Sequence, residues 1–192
     1  MKRQVMWTRL DAPGMEHLTL AVGQDKALAD GIVLTVENDS ALRLRYRIEC
    51  DSHWRLRRVE ISFSDDSPRL GLTANGDGGW FDESGSAVPR LDGCVDLDIT
   101  ATPFSNTLPI RRLELKPGES ADIRVAYVTV PDLQVMPDDQ RYTCLERSAD
   151  GGTYRFEQLS TGFKATLQVD ADGLVEEYPE LFRRAWKAEA RP

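Results

Sequence analysis

Cysteine and histidine are scarce in this chain of 192 residues, and their scarcity excludes several classes of protein. The three cysteines are odd in number, widely spaced and without a C-x-x-C pair, and the two histidines stand apart from them. The sequence therefore predicts neither a disulfide framework nor a zinc site. It also lacks a G-x-G-x-x-G, P-loop or G-x-S-x-G motif, so we expect no cofactor.

Long apolar runs and positive charge are also in short supply. No segment approaches the roughly 20 apolar residues of a membrane-spanning helix, and the first residues lack the apolar core of a secretory signal. We therefore expect no transmembrane segment and a cytoplasmic location. The 24 Lys and Arg against 32 Asp and Glu give a formal charge of -8, which repels a polyanion, so nucleic acid is not an expected partner.

Period-two patterns and short turns fill most of the chain. In residues 41–50, apolar side chains alternate with charged ones, as in a strand with one covered face, and "NGDGG", "KPGES" and "DADG" are typical turns. The apolar phase of residues 54–63 switches near Arg57 and Arg58, which predicts a bulge there. We predict an all-β fold, a single domain over residues 1–192. Its long antiparallel meander curls into a spiral roll or half-barrel to hide the strand edges.

Two segments near the ends of this pattern receive their own predictions. The sequence "YPELFRRAW", residues 178–186, has Pro179 at a first helical position, and its four large apolar residues are spaced to share one face. This spacing predicts a short C-terminal helix. The alternation in "RRLELK", residues 111–116, predicts a strand.

Acidic residues alternate along the strand predicted for residues 94–100. Asp96 and Asp98 share one face with Asp92, opposite an apolar face. Such carboxylates serve general acid-base chemistry or bind a divalent metal in some proteins. The other interpretation, which we prefer, is a solvated face paired with arginines.

A polar stretch with two prolines follows that strand. Pro103 and Pro109 fix the backbone, and Asn106 and Thr107 provide side chains that tie it down, so we expect a rigid polar loop. Two arginines, Arg111 and Arg112, come next. Arg111 shares the phase of the following leucines and is expected to point inward. The two guanidinium groups either hold an anionic head group or form structural ion pairs with Asp96 or Asp98.

The stretch "GCVDLDITATPFSNTLPIRRLEL", with "DSHWRLRRVEI", "GDGGWFDE", "VAYVTVPDL" and "GLVEEYPELFRRAW", resembles a family of uncharacterised bacterial proteins described as putative glycolipid-binding. The resemblance extends over nearly the whole chain. It implies a spiral β-roll, similar to the half-barrels of bacterial lipoprotein carriers and mycobacterial glycolipid carriers. In those proteins the concave face holds acyl chains, which implies a small amphiphilic ligand for this family.

We therefore expect a non-catalytic binding or carrier protein for a glycolipid or lipid-like amphiphile, in which Arg111 or Arg112 meets the head group. Asn106 and Thr107 belong to the tentative site, and the apolar groove is expected to be lined by four aromatic residues: Tyr46, Trp54, Trp80 and Tyr127. One alternative is a small cofactor-free enzyme that uses Asp96 or Asp98 as a proton shuttle with Arg111 or Arg112. Another is a structural homodimer joined through exposed strand edges.

Overall fold

A computed structural model describes residues 1–64 and 69–188 of the chain. The strands are β1 (Lys2–Arg9), β2 (Gly14–Val22), β3 (Lys26–Glu37), β4 (Ser40–Asp51), β5 (Leu56–Phe63), β6 (Arg69–Ala74), β7 (Trp80–Asp82), β8 (Asp96–Ile99), β9 (Ser120–Val128), β10 (Val135–Arg147), β11 (Gly151–Gln158), β12 (Lys164–Asp170), β13 (Val175–Tyr178) and β14 (Phe182–Lys187). One α-helix, α1 (Thr107–Leu113), and two 3₁₀ turns (Pro89–Leu91 and Pro103–Asn106) complete the described elements.

All fourteen strands belong to one sheet, in the order β7-β6-β5-β4-β3-β2-β1-β14-β13-β12-β11-β10-β9-β8. Neighbours are antiparallel except β8 and β9, which are parallel. The two edge strands, β7 and β8, follow each other in the sequence. A flat sheet of this width would separate its edges by about 60 Å, whereas residues 83–95, which connect them, reach only about 50 Å when fully extended. The sheet must therefore curl, which confirms the predicted curled antiparallel sheet.

Hydrogen bonds join the two edges of the curled sheet. The indole Nε1 of Trp80, in β7, donates to the carbonyl oxygen of Cys94, just before β8, at 2.8 Å. The backbone N–H of Gly93 donates to the carbonyl of Gly78 at 3.0 Å. Both edges are also partly covered locally, because Val88 N–H donates to Trp80 O and Ile99 N–H donates to the Ser105 hydroxyl. A homodimer through strand edges stays a prediction.

The interior of the curl is occupied by the chain itself. Every residue from 101 to 110 is buried, and this segment contacts strands from both halves of the sheet. Thr102 donates to Glu16 in β2, and Thr107 donates to the carbonyl of Gly173, just before β13. We call residues 101–113 the internal plug. The expectation of a rigid polar loop here is wrong, because the stretch forms a 3₁₀ turn and a helix that fill the concave face.

The strand predicted over residues 111–116 is also wrong, since residues 107–113 form α1. Pro109 does not prevent this, because backbone N–H groups in the first turn of a helix have no intrahelical acceptor to lose. The helix ends where Glu114 adopts a left-handed conformation, with φ of 49°. Of the two leucines on which the strand prediction rested, Leu113 is the last residue of α1 and Leu115 follows the helix.

The predicted C-terminal helix is wrong as well. Residues 182–187 form β14, which pairs with β1 on one side and β13 on the other. Without β14, the facing edges of β1 and β13 would have backbone N–H and C=O groups without partners in the middle of the sheet. A strand between them pairs with both edges at once. Glu180, with φ of 66°, makes the tight turn that precedes it.

The bulge predicted in β5 is confirmed. Glu49 pairs with Arg58 and Cys50 pairs with Leu56, so Arg57 is the extra residue of β5. The bulge places Leu56 and Val59 in the core together, with exposures of 1% and 0%. The apolar phase therefore changes in sequence while one face stays buried.

Two hydrophobic clusters lie on either side of the internal plug. The larger one joins strands β1–β7 to β8 and β9, and it includes Phe104 and Leu108 from the plug. The smaller one lies under β10–β14 and includes Ile110. The plug thus supplies apolar side chains to both clusters and connects the two halves of the roll.

Candidate functional site

A pocket of about 290 Å³ lies between the plug and strands β8, β9, β11, β13 and β14. We call it the aromatic pocket. Its lining residues are Arg9, Asp11, Asp98, Ile99, Thr100, Thr102, Asn106, Tyr127, Phe156, Gln158, Phe163, Tyr178, Leu181 and Phe182. Three of the residues predicted for the site, Asp98, Asn106 and Tyr127, thus lie together in one pocket.

Asp98 is an acidic group of this pocket whose pKa is raised. Burial raises its pKa to about 6. The Gln140 amide, which donates to Oδ2 at 2.8 Å, opposes this rise, and the nearby Asp138 carboxylate adds to it. No arginine lies within 4.0 Å of Asp98 among the described residues. The carboxyl group is therefore half-buried, adjacent to the pocket and able to gain or lose a proton near neutral pH.

A hydrogen-bond network of side-chain amides and hydroxyls holds Asp98 on the side away from the pocket. Gln140, which is 1% exposed, bridges Asp98 and Asp138 through its Nε2. Asp138 also accepts from Gln158 Nε2 at 3.1 Å and from the Ser160 hydroxyl at 2.6 Å. These bonds hold the polar wall of the aromatic pocket in a fixed orientation.

Aromatic rings form the opposite wall. The ring centroid of Phe163 lies 6.2 Å from that of Phe156 and 6.4 Å from that of Tyr178, and Tyr178 lies 6.3 Å from Phe182. Phe163 is 41% exposed and stands at the rim. Burial raises the pKa of the Tyr127 hydroxyl, and the nearby Asp98 carboxylate adds to the rise. The pocket therefore combines ring faces with several hydrogen-bonding groups.

An apolar groove of about 950 Å³ adjoins the aromatic pocket. Its lining residues are Pro13, Gly14, Met15, Leu34, Thr35, Val36, Ala41, Leu42, Arg43, Phe63, Ser64 and Pro131. No residue lines both cavities, but a hydrogen bond connects their linings, because Arg9 of the aromatic pocket donates to the Thr35 hydroxyl of the groove at 2.9 Å. Asp11 and Glu37 accept hydrogen bonds from the same guanidinium, which raise the pKa of Arg9 and keep it charged.

Asp96 and Arg112 form a structural ion pair away from this pocket. Arg112 Nη2 lies 2.6 Å from Asp96 Oδ2, and its Nε donates to Oδ1 at 3.0 Å. The Asp96 side chain is 1% exposed and that of Arg112 is 16% exposed. Burial raises the pKa of Asp96, and the guanidinium opposes the rise. The preferred expectation of a solvated face paired with arginines is correct in the pairing of Asp96 with Arg112. It is wrong in the solvation of Asp96, because Leu97 and Ile99 are buried too and β8 is covered on both faces at this residue.

Three of the four aromatic residues expected in a groove lie in the closed core. Tyr46 is 0% exposed and stacks on Phe104 of the plug, and Trp80 is 1% exposed. Trp54 is also buried, and only Tyr127 of the four lines the aromatic pocket. The concave face therefore does not form an apolar groove around these residues, since the plug occupies it.

The plug residues Asn106 and Thr107 make fixed internal hydrogen bonds. Asn106 accepts from the Tyr142 hydroxyl at 2.8 Å, and its amide donates to the carbonyl of Pro103. Thr107 is fully buried, and its hydroxyl donates to Gly173 O at 2.9 Å. Arg111 lines a different pocket, described below, and makes no contact with Asp96 or Asp98 within 4.0 Å.

A buried carboxyl that the sequence analysis missed lies behind the aromatic pocket. Glu16 is 2% exposed, and its Oε1 accepts hydrogen bonds from the hydroxyls of Tyr46 and Thr102 at 2.5 Å and 2.9 Å. Its Oε2 has no hydrogen-bond partner among the described residues. Burial raises the pKa of Glu16 to about 7. Glu16 shares the phase of Leu18 and Leu20 in β2, and this alternation is the signal that could have identified it.

Sequence reasoning also missed the residues that form the polar and aromatic walls of the pocket. Asp138 and Gln140 stand in phase with the buried Tyr142 of β10, so their inward direction could be read from the alternation. The contact between the rings of Phe156 and Phe163 could not be read from alternation, because Phe156 lies in β11 and Phe163 lies in the loop after it.

Among residues 1–64 and 69–188, no group of three His, Cys, Asp or Glu residues is arranged to hold a metal ion. None of the helices in the same part of the chain is long and apolar enough to cross a membrane.

Comparison with known proteins gives a family and a solved structure. A family model described as "Putative glycolipid-binding" matches residues 4–184. The chain is also similar to the crystal structure of a DUF1089 family protein from Pseudomonas aeruginosa, with 38% sequence identity and a TM-score of 0.76. The match covers 88% of this chain and 91% of that one. No curated protein matches the sequence.

Proposed function

Because this chain belongs to the family described as putative glycolipid-binding, we propose that it is a non-catalytic binding protein for a sugar-headed amphiphile. The head occupies the aromatic pocket and the alkyl chain lies in the adjoining apolar groove. The observation that supports this most directly is the hydrogen bond from Arg9 to Thr35, which connects the lining of a small polar-aromatic pocket to that of a larger apolar groove. An amphiphile requires both environments side by side.

The aromatic pocket has the chemistry that a hydroxylated head needs. The Asp98 carboxyl accepts hydrogen bonds, while the Tyr127 hydroxyl and the Gln158 amide offer further polar contacts. The faces of Phe156 and Phe163 pack against the C–H groups of a ring. A volume of about 290 Å³ is at the small end of ligand sites, and this suits a single head group rather than a whole lipid.

The apolar groove suits an alkyl chain. Met15 and Leu34, which pair across β2 and β3, are 43% and 51% exposed, although large apolar side chains in neighbouring positions are usually covered. Transfer of each methylene from water onto such a surface contributes about 0.8 kcal/mol. The affinity of a sugar amphiphile for the groove should therefore rise with the length of its chain.

The test is calorimetric titration with methyl β-glucoside and octyl β-glucoside, the latter below its micelle concentration. We expect tighter binding of the octyl compound, and weaker binding of both by Phe163→Ala and Asp98→Asn. Matched controls are Leu159→Ala, which removes an exposed apolar side chain outside the pocket, and Asp122→Asn, which removes an exposed carboxylate. Equal affinity of the pocket variants and their controls would refute the proposal.

A second candidate function, a cofactor-free enzyme, is favoured by one observation. Asp96 is committed to Arg112, whereas Asp98 faces the aromatic pocket with a pKa raised to about 6, in the range that general acid-base catalysis requires. In this case Asp98 transfers a proton to or from a bound substrate. Mass spectrometry of a co-purifying ligand after incubation distinguishes the two functions, because a binding protein returns its ligand unchanged.

A further inference from the structure

A second polar pocket, of about 220 Å³, lies at the C-terminal end of α1. We call it the two-arginine pocket. It is formed by the end of α1, the β10–β11 hairpin and the β12–β13 turn, with these lining residues: Ile110, Arg111, Glu114, Arg147, Ser148, Ala149, Gly151, Gly152, Tyr154, Val169, Asp170, Ala171 and Gly173. No residue of the aromatic pocket lines it.

Arg111 is held over an aromatic ring at this pocket. Its guanidinium carbon lies 5.1 Å from the centroid of the buried Trp54 ring, within the range of a cation–π contact. Its stem packs on Gly173, which has φ of +78°, and a Cβ at that position would come within 2.9 Å of Arg111 Cδ. The ring and the bare glycine backbone together fix the direction of the side chain.

The charges of the two arginines in this pocket are not compensated by carboxylates. Most described arginines lie within 4.0 Å of an Asp or Glu, but Arg111 and Arg147 do not do so within the described residues. The side chain of Arg147 donates only to the carbonyl of Leu115, at 3.4 Å. In a chain with a formal charge of -8, two uncompensated arginines in one pocket require a separate explanation.

Two carboxylates line the pocket, Glu114 and Asp170. Glu114 is exposed and forms no salt bridge within the described residues, and Asp170 is already fully engaged. Asp170 Oδ2 lies 2.5 Å from Arg184 Nη1 and 2.6 Å from Lys187 Nζ. Its Oδ1 accepts from the backbone N–H groups of Asp172 and Leu174. Asp170 therefore cannot neutralise Arg111 or Arg147, and its own charge is balanced by the two cations from β14.

Arg111 and Arg147 line the same pocket as Tyr154. Burial is the main cause that raises the pKa of the Tyr154 hydroxyl, and the guanidinium groups of Arg147 and Arg111 both oppose the rise. Since these effects fall off with distance, both guanidinium groups lie within electrostatic range of Tyr154.

We propose that the two-arginine pocket binds a phosphate group, either as inorganic phosphate or as the terminal phosphate of a lipid. Two guanidinium groups match the charge of a phosphate dianion, and arginine donates to phosphate oxygens in pairs. The small volume admits the phosphate and little else. This site is independent of the sugar-amphiphile function, because the two pockets share no residue.

The first experiment measures inorganic phosphate binding to the full chain by calorimetry at low ionic strength. We expect binding by the wild type and a loss of affinity of at least about tenfold in Arg111→Gln and in Arg147→Gln. Arg90→Gln is the matched control, because it removes the charge of an arginine that lines none of the three cavities and should leave phosphate affinity unchanged. Arg147 is exposed, so its substitution keeps the test valid if Arg111→Gln is unstable.

A second arm identifies the source of the phosphate. Co-sedimentation with phosphatidylcholine vesicles containing phosphatidic acid, lost in Arg111→Gln and Arg147→Gln, assigns the site to a lipid phosphate. Binding of inorganic phosphate without co-sedimentation assigns it to a free phosphate. The proposal is overturned if the wild type does not bind inorganic phosphate, or if the two variants bind it as well as Arg90→Gln does. Neither result bears on glucoside binding.

Discussion

The substitution Glu16→Gln should make this protein more stable at alkaline pH than the natural sequence. Glu16 lies in the closed core behind the aromatic pocket, where hydroxyls of Tyr46 and Thr102 donate to one of its oxygens. The other oxygen has no partner in the described part of the chain. An ionised carboxylate in this position is poorly compensated, and a glutamine keeps the shape and one acceptor without the charge.

The size of the effect follows from the pKa of Glu16, which burial raises from an ordinary 4.5 to about 7. Below pH 4.5 the carboxyl is protonated in both the folded and the unfolded chain and has no effect on the pH dependence. Between pH 4.5 and about 7 the unfolded chain releases the proton that the folded chain retains, so stability falls as pH rises. Each pKa unit is worth about 1.4 kcal/mol, which gives a total of about 3 kcal/mol.

The assay is urea unfolding of the wild type and Glu16→Gln at a series of pH values from 4.5 to 8.5. We expect the two proteins to differ by less than about 1 kcal/mol at the acid end. At pH 8 the variant should be more stable by about 3 kcal/mol, or by about 6–10 °C in melting temperature for a chain of this length.

Other carboxyl groups titrate over the same range, so the difference between the two proteins is the informative quantity. Glu180→Gln is the control, because it removes the same charge from an exposed position and should leave the pH dependence as in the wild type. The reasoning about Glu16 is refuted if the stability difference between wild type and Glu16→Gln is constant from pH 5 to pH 8.

Two further substitutions test the packing around the plug by chemical denaturation. Arg112→Ala leaves the Asp96 carboxylate buried without its cation and should lower the free energy of unfolding by about 3–5 kcal/mol. A double substitution, Asp96→Leu with Arg112→Met, should recover part of this stability. A loss below about 1 kcal/mol for the single substitution would contradict a buried ion pair. Gly31→Ala places a Cβ 2.2 Å from the Tyr46 ring and should cost about 2 kcal/mol or more, whereas Gly23→Ala, whose Cβ meets only an ordinary contact at 3.6 Å, should be tolerated; similar stabilities of these two variants would argue against the tight packing of Tyr46.

The all-β class and most strands could be read from the sequence, because a sheet with one buried face has a strict period of two. The arginine-rich β4 and the bulge at Arg57 were both recognised in this way. Prediction from periodicity failed where the same residue pattern fits both a helix and a strand. Residues 182–187 have apolar residues at a spacing compatible with a helix, but the open edges of β1 and β13 required a strand between them.

The candidate site was predictable only in part. Asp98, Asn106 and Tyr127 were named from the sequence, and all three line the aromatic pocket. Their separation along the chain gives no indication of this, since Asp98 and Tyr127 become neighbours only through the parallel pairing of β8 and β9. Asp96 forms an ion pair with Arg112 and Asp98 does not. This difference depends on where α1 places its arginines.

The sequence by itself determined a curled antiparallel sheet, because alternating side chains require one covered face and a meander of this length must hide its edges. Tertiary structure alone decided what fills the curl. Residues 101–113 contain prolines, hydroxyls and arginines that are typical of a surface loop, yet they enter the concave face and leave two small pockets beside it. Burial of such a segment depends on hydrogen-bond partners such as Glu16, Tyr142 and Gly173, which come from distant strands and are brought together only when the sheet closes around them.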